Sequence, residues 1–330
     1  METIGIIGAG AWGTALAATL RRAGRQVVLW AYEAEVAQAI NATGRNALFL
    51  PEVALDGVRA TNDLGEAAAA EAVLLVVPAQ LVRGVCQQLR GVWRADTPLV
   101  LCAKGVEIAT GATMTEAAGA ALPEARLAVL SGPTFAIEVA RGLPTAITLA
   151  CRDTALGQRL VAAIGTPHFR PYLTDDVTGT EMGGAVKNVL AIACGIVEGL
   201  EYGDNARAAL ITRGLAELVR LAVARGAREA TCMGLSGLGD LILTASSLQS
   251  RNYSLGVALG QGRRLDDILG ERRSVTEGVA TAASVVALAE RLGVDLPICG
   301  AVDGMLHRGV GIKDTVGLLL SRPFRTELGF

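Results

Sequence analysis

Residues 3–13 read Thr3-Ile4-Gly5-Ile6-Ile7-Gly8-Ala9-Gly10-Ala11-Trp12-Gly13, a short β-rich run passing directly into a Gly-x-Gly-x-x-Gly loop. Alanine and leucine then recur at helical spacing through residues 13–23. This strand–turn–helix reads as the opening of a dinucleotide-binding βαβ unit, the competing reading being a glycine-rich turn with no ligand. Each glycine has its own task there. Gly8 permits the tight turn, Gly10 lets the backbone approach a pyrophosphate, and Gly13 lets helix pack on strand. The N–H groups at the start of the helix then face the anion.

Working outward, strand-like runs at residues 26–30, 72–77, 99–103 and 126–130 alternate with alanine-rich helical stretches, including residues 111–121. That alternation predicts a parallel α/β sheet. Runs at 146–150 and 168–173 extend it, and then the strand signal stops. Thr178 and Glu181 have capping-box spacing, which marks a helix start. The following stretch, residues 184–200, is apolar nearly all round, as in a helix through the centre of a domain. Further helical stretches fall at 206–225, 280–292 and 316–320. The expected architecture is a Rossmann-like α/β domain over residues 1–180 and an all-α domain over 181–330, with the boundary near 178–183.

The composition agrees with a globular chain: 51% of its 330 residues are hydrophobic and 19% charged. Aromatics supply only 4%, so the core must be aliphatic. A formal charge of −2 offers no global attraction for nucleic acid or anionic lipid, so an anionic ligand must be held by a few local residues. Uninterrupted apolar runs such as 189–197 fall short of a membrane span, and no leader pattern precedes the first strand. The six cysteines form no C-x-x-C pair and read as small core residues of a reducing cytoplasm. With only His168 and His307 present, a histidine-rich metal site is not expected.

Reduction of a carbonyl by a nicotinamide needs a proton donor beside the carbonyl oxygen, and the reverse reaction needs a base. Neither histidine is well placed for that. Lys187 is the better candidate: it stands in the oily helix with Leu190, Ala191 and Cys194 on its own face, and lysine is seldom buried without a partner. A side chain snorkelling to solvent is the competing reading. Lys104 follows the strand at 99–103 and projects from the carboxyl edge of the sheet, where ligands of open α/β sheets bind; an ordinary surface lysine after a strand is the equal alternative. Ser131-Gly132 ends the next strand on the same rim. In the helical half, residues 234–240 form a glycine-rich loop ending in Asp240, and Ser250-Arg251-Asn252 follows. A guanidinium flanked by hydroxyl and amide groups suits a phosphate, although taken alone the tripeptide reads more readily as a solvated helix start. Glu33, just past the second strand, fits a ribose 2′-hydroxyl and hence NAD, or equally a solvated residue opening the next helix.

Taken together, these segments closely resemble the bacterial-type NAD(P)-dependent sn-glycerol-3-phosphate dehydrogenases. The resemblance is carried by GAGAWGTALA (8–17), KGVE from Lys104, SGPTFAIEVA (131–140), GGAVKNVLAI (183–192), GLSGLGDLILT (234–244), QSRN (249–252) and VTEGV (275–279). It implies a 6-phosphogluconate-dehydrogenase-like helical domain after the Rossmann-like one. It implies NAD(H) or NADP(H) as cofactor, and interconversion of dihydroxyacetone phosphate and sn-glycerol 3-phosphate for glycerophospholipid synthesis. By the same resemblance Lys187 is the catalytic acid/base. Lys104, Gly132, Thr134, Lys187, Asp240, Ser250, Arg251 and Asn252 contact substrate. The cofactor is held by Gly8, Gly10, Ala11, Trp12, Gly13, Tyr32, Phe49, Lys104, Ala136, Arg251, Val275 and Glu277.

Three positions depart from the family pattern. Ala11 replaces a usual serine, Tyr32 stands where a basic residue is common, and Phe49 where a tyrosine is frequent. They bear on NAD against NADP, which stays open, and leave the substrate residues untouched. Two other functions fit parts of the sequence: a related two-domain dehydrogenase of β-hydroxy acids, and a nonenzymatic nicotinamide-nucleotide sensor. The oily helical half is compatible with a homodimer.

Overall fold

The computed structural model describes residues 1–272, 275–321 and 323. It divides into two compact units, one of Met1–Lys104 with Ala112–Glu181, the other of Gly105–Gly111 with the chain from Met182 onward. The short segment after Lys104, expected in the first domain, therefore belongs to the second unit. Its Val106 is buried in the core of that unit.

The first unit holds ten strands: β1 Thr3–Ile7, β2 Gln26–Trp30, β3 Arg45–Asn46, β4 Leu50–Ala54, β5 Val58–Thr61, β6 Ala72–Leu75, β7 Pro98–Leu101, β8 Arg126–Ser131, β9 Thr145–Ala150 and β10 Phe169–Thr174. Eight of them make one sheet in the order β10-β9-β8-β7-β6-β1-β2-β5. β1 pairs in parallel with both β2 and β6, so the order reverses between β1 and β6. Ligands of doubly wound sheets bind at that reversal, outside the carboxyl ends of the strands.

The central strands are apolar throughout because both faces of the sheet are covered. Side chains alternate between two cores: Ile4, Ile6, Leu74, Val100 and Leu130 enter one, while Ile7, Val73, Leu75, Leu101 and Val129 enter the other. β9 and β10 extend the sheet as expected, with one reversal: β9 runs antiparallel to β8 and β10 returns parallel to β9. The outer strand β5 and the β3–β4 hairpin were not anticipated. β3 has only two residues, and β5 (Val58-Arg59-Ala60-Thr61) lacks the unbroken apolar run that marks the equally short β6.

The long helix Val177–Gly199 does begin where the capping signal placed it, but with different chemistry. Asp176 caps it by accepting the Gly179 N–H at 2.9 Å. Glu181 instead accepts from the N–H and Oγ1 of Thr115, both at 2.7 Å, and burial pushes its carboxyl above the usual range. The reciprocal capping box forms elsewhere, between Thr113 and Glu116. By length and apolarity alone Val177–Gly199 could cross a membrane, although no single apolar run within it is long enough. Of its apolar window 83% is buried inside the protein, which makes it a core helix.

The second unit is helical among its described residues: it contains the rest of that helix, then Gly203–Ala224, Arg251–Gly260, Glu277–Leu292, Pro297–His307, Ile312–Leu320 and shorter turns. Gly195 and Gly199 of the long helix face Gly256 and Gly260 of Arg251–Gly260 across a backbone-to-backbone crossing. A Cβ on Gly195 would stand 2.1 Å from the Tyr253 carbonyl oxygen, and one on Gly256 2.1 Å from that of Ile192. Small residues at this spacing let two helices touch along their main chains. Glu217, 1% exposed, accepts the N–H groups of Ile298 and Cys299 at 2.7 and 3.0 Å and so caps Pro297–His307.

Candidate active site

In the first unit the glycine loop has the shape its sequence implies. Gly8 has φ +120°, and a Cβ there would meet the Val76 carbonyl oxygen at 2.4 Å. A Cβ on Gly13 would stand 1.8 Å from the Gly8 carbonyl oxygen, so helix Ala11–Arg22 can sit this close to β1 only with glycine at that position. Gly10 caps the helix and faces open space: among the described residues nothing lies within 4 Å of the position a Cβ would take. No side chain caps this helix and its first turn carries no acid. Its N-terminal N–H groups and dipole therefore point at a clear position, which fits the pyrophosphate of a dinucleotide. Ala11 and Trp12, half-buried, are its first two residues.

Along the same edge, Lys104 Nζ donates to the Gly132 carbonyl oxygen at 3.1 Å, and Thr134 Oγ1 donates to that oxygen at 3.3 Å. Gly132 is closely packed, with the Ile147 Cα 3.0 Å from where its Cβ would be. Ala136 opens the short helix Ala136–Ala140 directly after. Lys104, Gly132 and Thr134 are thus brought together at the ends of β7 and β8. Tyr32 and Glu33 lie beyond the end of β2, both exposed, with the Tyr32 ring edge-on to Trp30 at 6.1 Å. Glu33 occupies the N-cap position of Ala34–Thr43 without using its side chain as a cap. Phe49 lies in the turn between β3 and β4, half-buried.

In the second unit Lys187 does not snorkel: its side chain is 8% exposed. Nζ donates to Asp240 Oδ1 at 3.0 Å and to Thr244 Oγ1 at 2.7 Å, and the Thr244 hydroxyl reaches Asp240 Oδ1 at 3.1 Å. Asp240 is itself 2% exposed. Burial of an ammonium is tolerable only with such a counter-charge and further hydrogen bonds. The loop before Asp240 is a single π turn, Leu235–Gly239, a form that recurs at functional sites. Its glycine is demanded by packing: a Cβ on Gly237 would lie 2.0 Å from the Cys232 carbonyl oxygen.

The Ser250-Arg251-Asn252 segment starts helix Arg251–Gly260. Ser250 spends its hydroxyl on the cap, accepting the Tyr253 N–H at 3.2 Å. Asn252 donates to Asn188 Oδ1 at 2.9 Å and accepts the Gly278 N–H at 3.0 Å. Arg251 is exposed and donates to the Val275 carbonyl oxygen at 2.6 Å. Glu277 is the first residue of Glu277–Leu292. The segments containing Arg251 and Val275–Glu277, distant in sequence, are therefore neighbours.

Three residues of these clusters were not singled out from sequence. Thr244 was discoverable, since it stands one helical turn beyond Asp240 and so shares its face. Asn188 follows Lys187 directly but gave no separate signal. Asn46, buried under the glycine loop, depends on a hairpin that the sequence did not reveal.

Comparison with known proteins agrees with this geometry. The family described as NAD-dependent glycerol-3-phosphate dehydrogenase matches through its N-terminal part over residues 3–157 and its C-terminal part over 176–317. The glycerol-3-phosphate dehydrogenase [NAD(P)+] of Rhodospirillum rubrum is 63% identical, covering 100% of this chain and 95% of the relative. That of Parvibaculum lavamentivorans is 58% identical over 98% of each. The crystal structure of glycerol-3-phosphate dehydrogenase from Coxiella burnetii superposes with a TM-score of 0.93 at 38% identity, covering 97% of this chain and 99% of that one. The chain belongs to the NAD-dependent glycerol-3-phosphate dehydrogenase family.

Proposed function

We propose that this chain is an NAD(P)-dependent glycerol-3-phosphate dehydrogenase that reduces dihydroxyacetone phosphate reversibly to sn-glycerol 3-phosphate, with Lys187 as its acid/base. The observation that carries the proposal is the buried ammonium of Lys187 held between Asp240 and Thr244. A nicotinamide nucleotide, when held by the glycine loop, would supply the hydride to the ketone carbon. Lys187 gives a proton to the carbonyl oxygen as negative charge develops there, and recovers it from solvent; in the oxidative direction the neutral amine takes the hydroxyl proton. Asp240 and Thr244 fix the position of Nζ, so little reorganisation is required during the transfer.

Contacts to substrate are assigned to Lys104, Gly132, Thr134, Asp240, Ser250, Arg251 and Asn252. For the phosphate, the guanidinium of Arg251 and the N-terminus of helix Arg251–Gly260 are the donors. The side chains of Ser250 and Asn252 are already committed within the protein, so their substrate contacts are assigned to the backbone of that helix start. The cofactor contacts are Gly8, Gly10, Ala11, Trp12, Gly13, Tyr32, Phe49, Lys104, Ala136, Arg251, Val275 and Glu277. We place the enzyme in the cytoplasm, in the supply of glycerol 3-phosphate for phospholipids. Six free, buried cysteines support a reducing compartment.

The test is oxidation of NADH and of NADPH by the purified chain with dihydroxyacetone phosphate, followed by absorbance. Turnover that requires the phosphorylated ketone supports the assignment. Turnover with a β-hydroxy or keto acid and none with the phosphorylated ketone would replace it, and nucleotide binding without turnover would indicate a sensor.

A further inference from the structure

Beneath the glycine loop, β3 delivers one polar side chain into the core of the first unit. Asn46 is 1% exposed. Its Nδ2 donates to the Ala9 carbonyl oxygen at 2.8 Å and contacts Thr14 Oγ1 at 2.8 Å, while Thr14 Oγ1 itself reaches the Ala9 oxygen at 3.4 Å. Ala9 is the residue between the first two glycines of the loop, and Thr14 lies in the first turn of the helix that follows. Because a carbonyl can only accept, the orientation of the Asn46 amide is fixed by its partner.

We propose that Asn46 is a positioning residue for the cofactor: it clamps the glycine loop so that the Gly10–Trp12 backbone presents its N–H groups to the pyrophosphate. The clamp acts at the one residue whose peptide groups lead into Gly10, the glycine that faces open space. Turning the Ala9 carbonyl inward onto Asn46 directs the next N–H outward. Asn46 also leaves Oδ1 without a partner among the described residues, a cost to stability that an apolar residue there would not carry.

This inference rests on the nucleotide reading of the loop and is tested beside it. Dissociation constants of NADH and ADP-ribose are measured for the unaltered protein, Asn46→Ala, Asn46→Asp and Thr14→Val, together with KM for dihydroxyacetone phosphate at saturating NADH. Asn46→Ala is expected to weaken NADH and ADP-ribose by the same factor, about ten-fold or more, since each such step corresponds to about 1.4 kcal/mol of lost contact. The ketone KM and kcat at saturation stay within about two-fold, since only ground-state cofactor binding is lost. Asn46→Asp, which cannot donate to Ala9, weakens both ligands further. Thr14→Val keeps the packing, removes one point of the clamp, and weakens both by less; it carries the test should the Asn46 variants not fold. Unchanged nucleotide affinity in the folded variants, or a loss confined to NADH and absent with ADP-ribose, overturns the assignment. Failure of the unaltered protein to bind either nucleotide would instead overturn the reading of the loop itself.

Discussion

Lys187 Nζ and Asp240 Oδ1 lie 3.0 Å apart in a part of the helical unit where neither side chain is more than 8% exposed, and Thr244 Oγ1 bonds to both. The pair is worth most as a unit. Attraction between buried charges roughly offsets their desolvation, so removing one partner is far more harmful than the pair is stabilising.

Asp240→Ala should therefore destabilise the protein by about 3–5 kcal/mol, the usual result of stripping one charge from a buried pair. Denaturant unfolding checks this. It should also lower kcat, because Nζ loses the group that aims it. A variant as stable and as active as the parent would show that the ion pair is incidental.

Arg251→Ala should raise KM for dihydroxyacetone phosphate with a smaller change in kcat, the signature of lost ground-state binding. Unphosphorylated dihydroxyacetone should lose little, so the preference for the phosphate narrows. If KM is unchanged and the preference persists, the phosphate is held elsewhere.

Glu217 gives a pH dependence of known sign. Burial pushes its carboxyl up to about 7 from an ordinary 4.5, against the two backbone N–H groups that favour the charged form. The folded state thus binds the proton more tightly than the unfolded one. The neutral carboxyl is tolerated fully below about pH 4.5, and stability is lost as pH rises through about 7. The span is on the order of 3 kcal/mol. Glu217→Gln, which cannot ionise, should lack this component. Unfolding free energies of both proteins between acid and mildly alkaline pH should diverge in the variant's favour as pH rises; a constant difference would contradict it.

Gly195→Ala places a methyl group 2.1 Å from the Tyr253 carbonyl oxygen, with backbone rather than a flexible side chain in the way. The helices must part, at a cost of about 1–3 kcal/mol for overpacking. A fall in thermal midpoint is expected, together with weaker substrate binding, because helix Arg251–Gly260 also carries Arg251. An unchanged midpoint would mean the crossing is looser than described.

How far such features are legible in sequence depends on how local they are. Gly8 and Gly13 were readable because the turn and the helix–strand contact they serve lie within six residues of each other. The β9 and β10 extension was readable from apolar runs, but the antiparallel direction of β9 was not, since direction is a matter of connection. Lys187 stood out because a lysine among leucine and alanine needs a reason. Its partner Asp240 became a candidate only through its loop, and pairing the two required the fold. The Thr178–Glu181 spacing found the helix start for the wrong reason: Asp176 makes the cap, and Glu181 is drawn to Thr115 by a tertiary contact that no local pattern encodes. Asn46 was invisible for the same reason, its partners Ala9 and Thr14 being more than thirty residues away.

The most direct measurement is the turnover of Lys187→Ala with NADH and dihydroxyacetone phosphate at saturation, with NADH affinity determined on the same preparation. If Lys187 is the proton donor, kcat falls by about 10²-fold or more, as general acid catalysis is typically worth 10²–10⁴-fold, while NADH still binds. A folded variant that binds NADH and turns over within about two-fold of the parent would take Lys187 out of the mechanism, since so small a loss is far below what a general acid supplies.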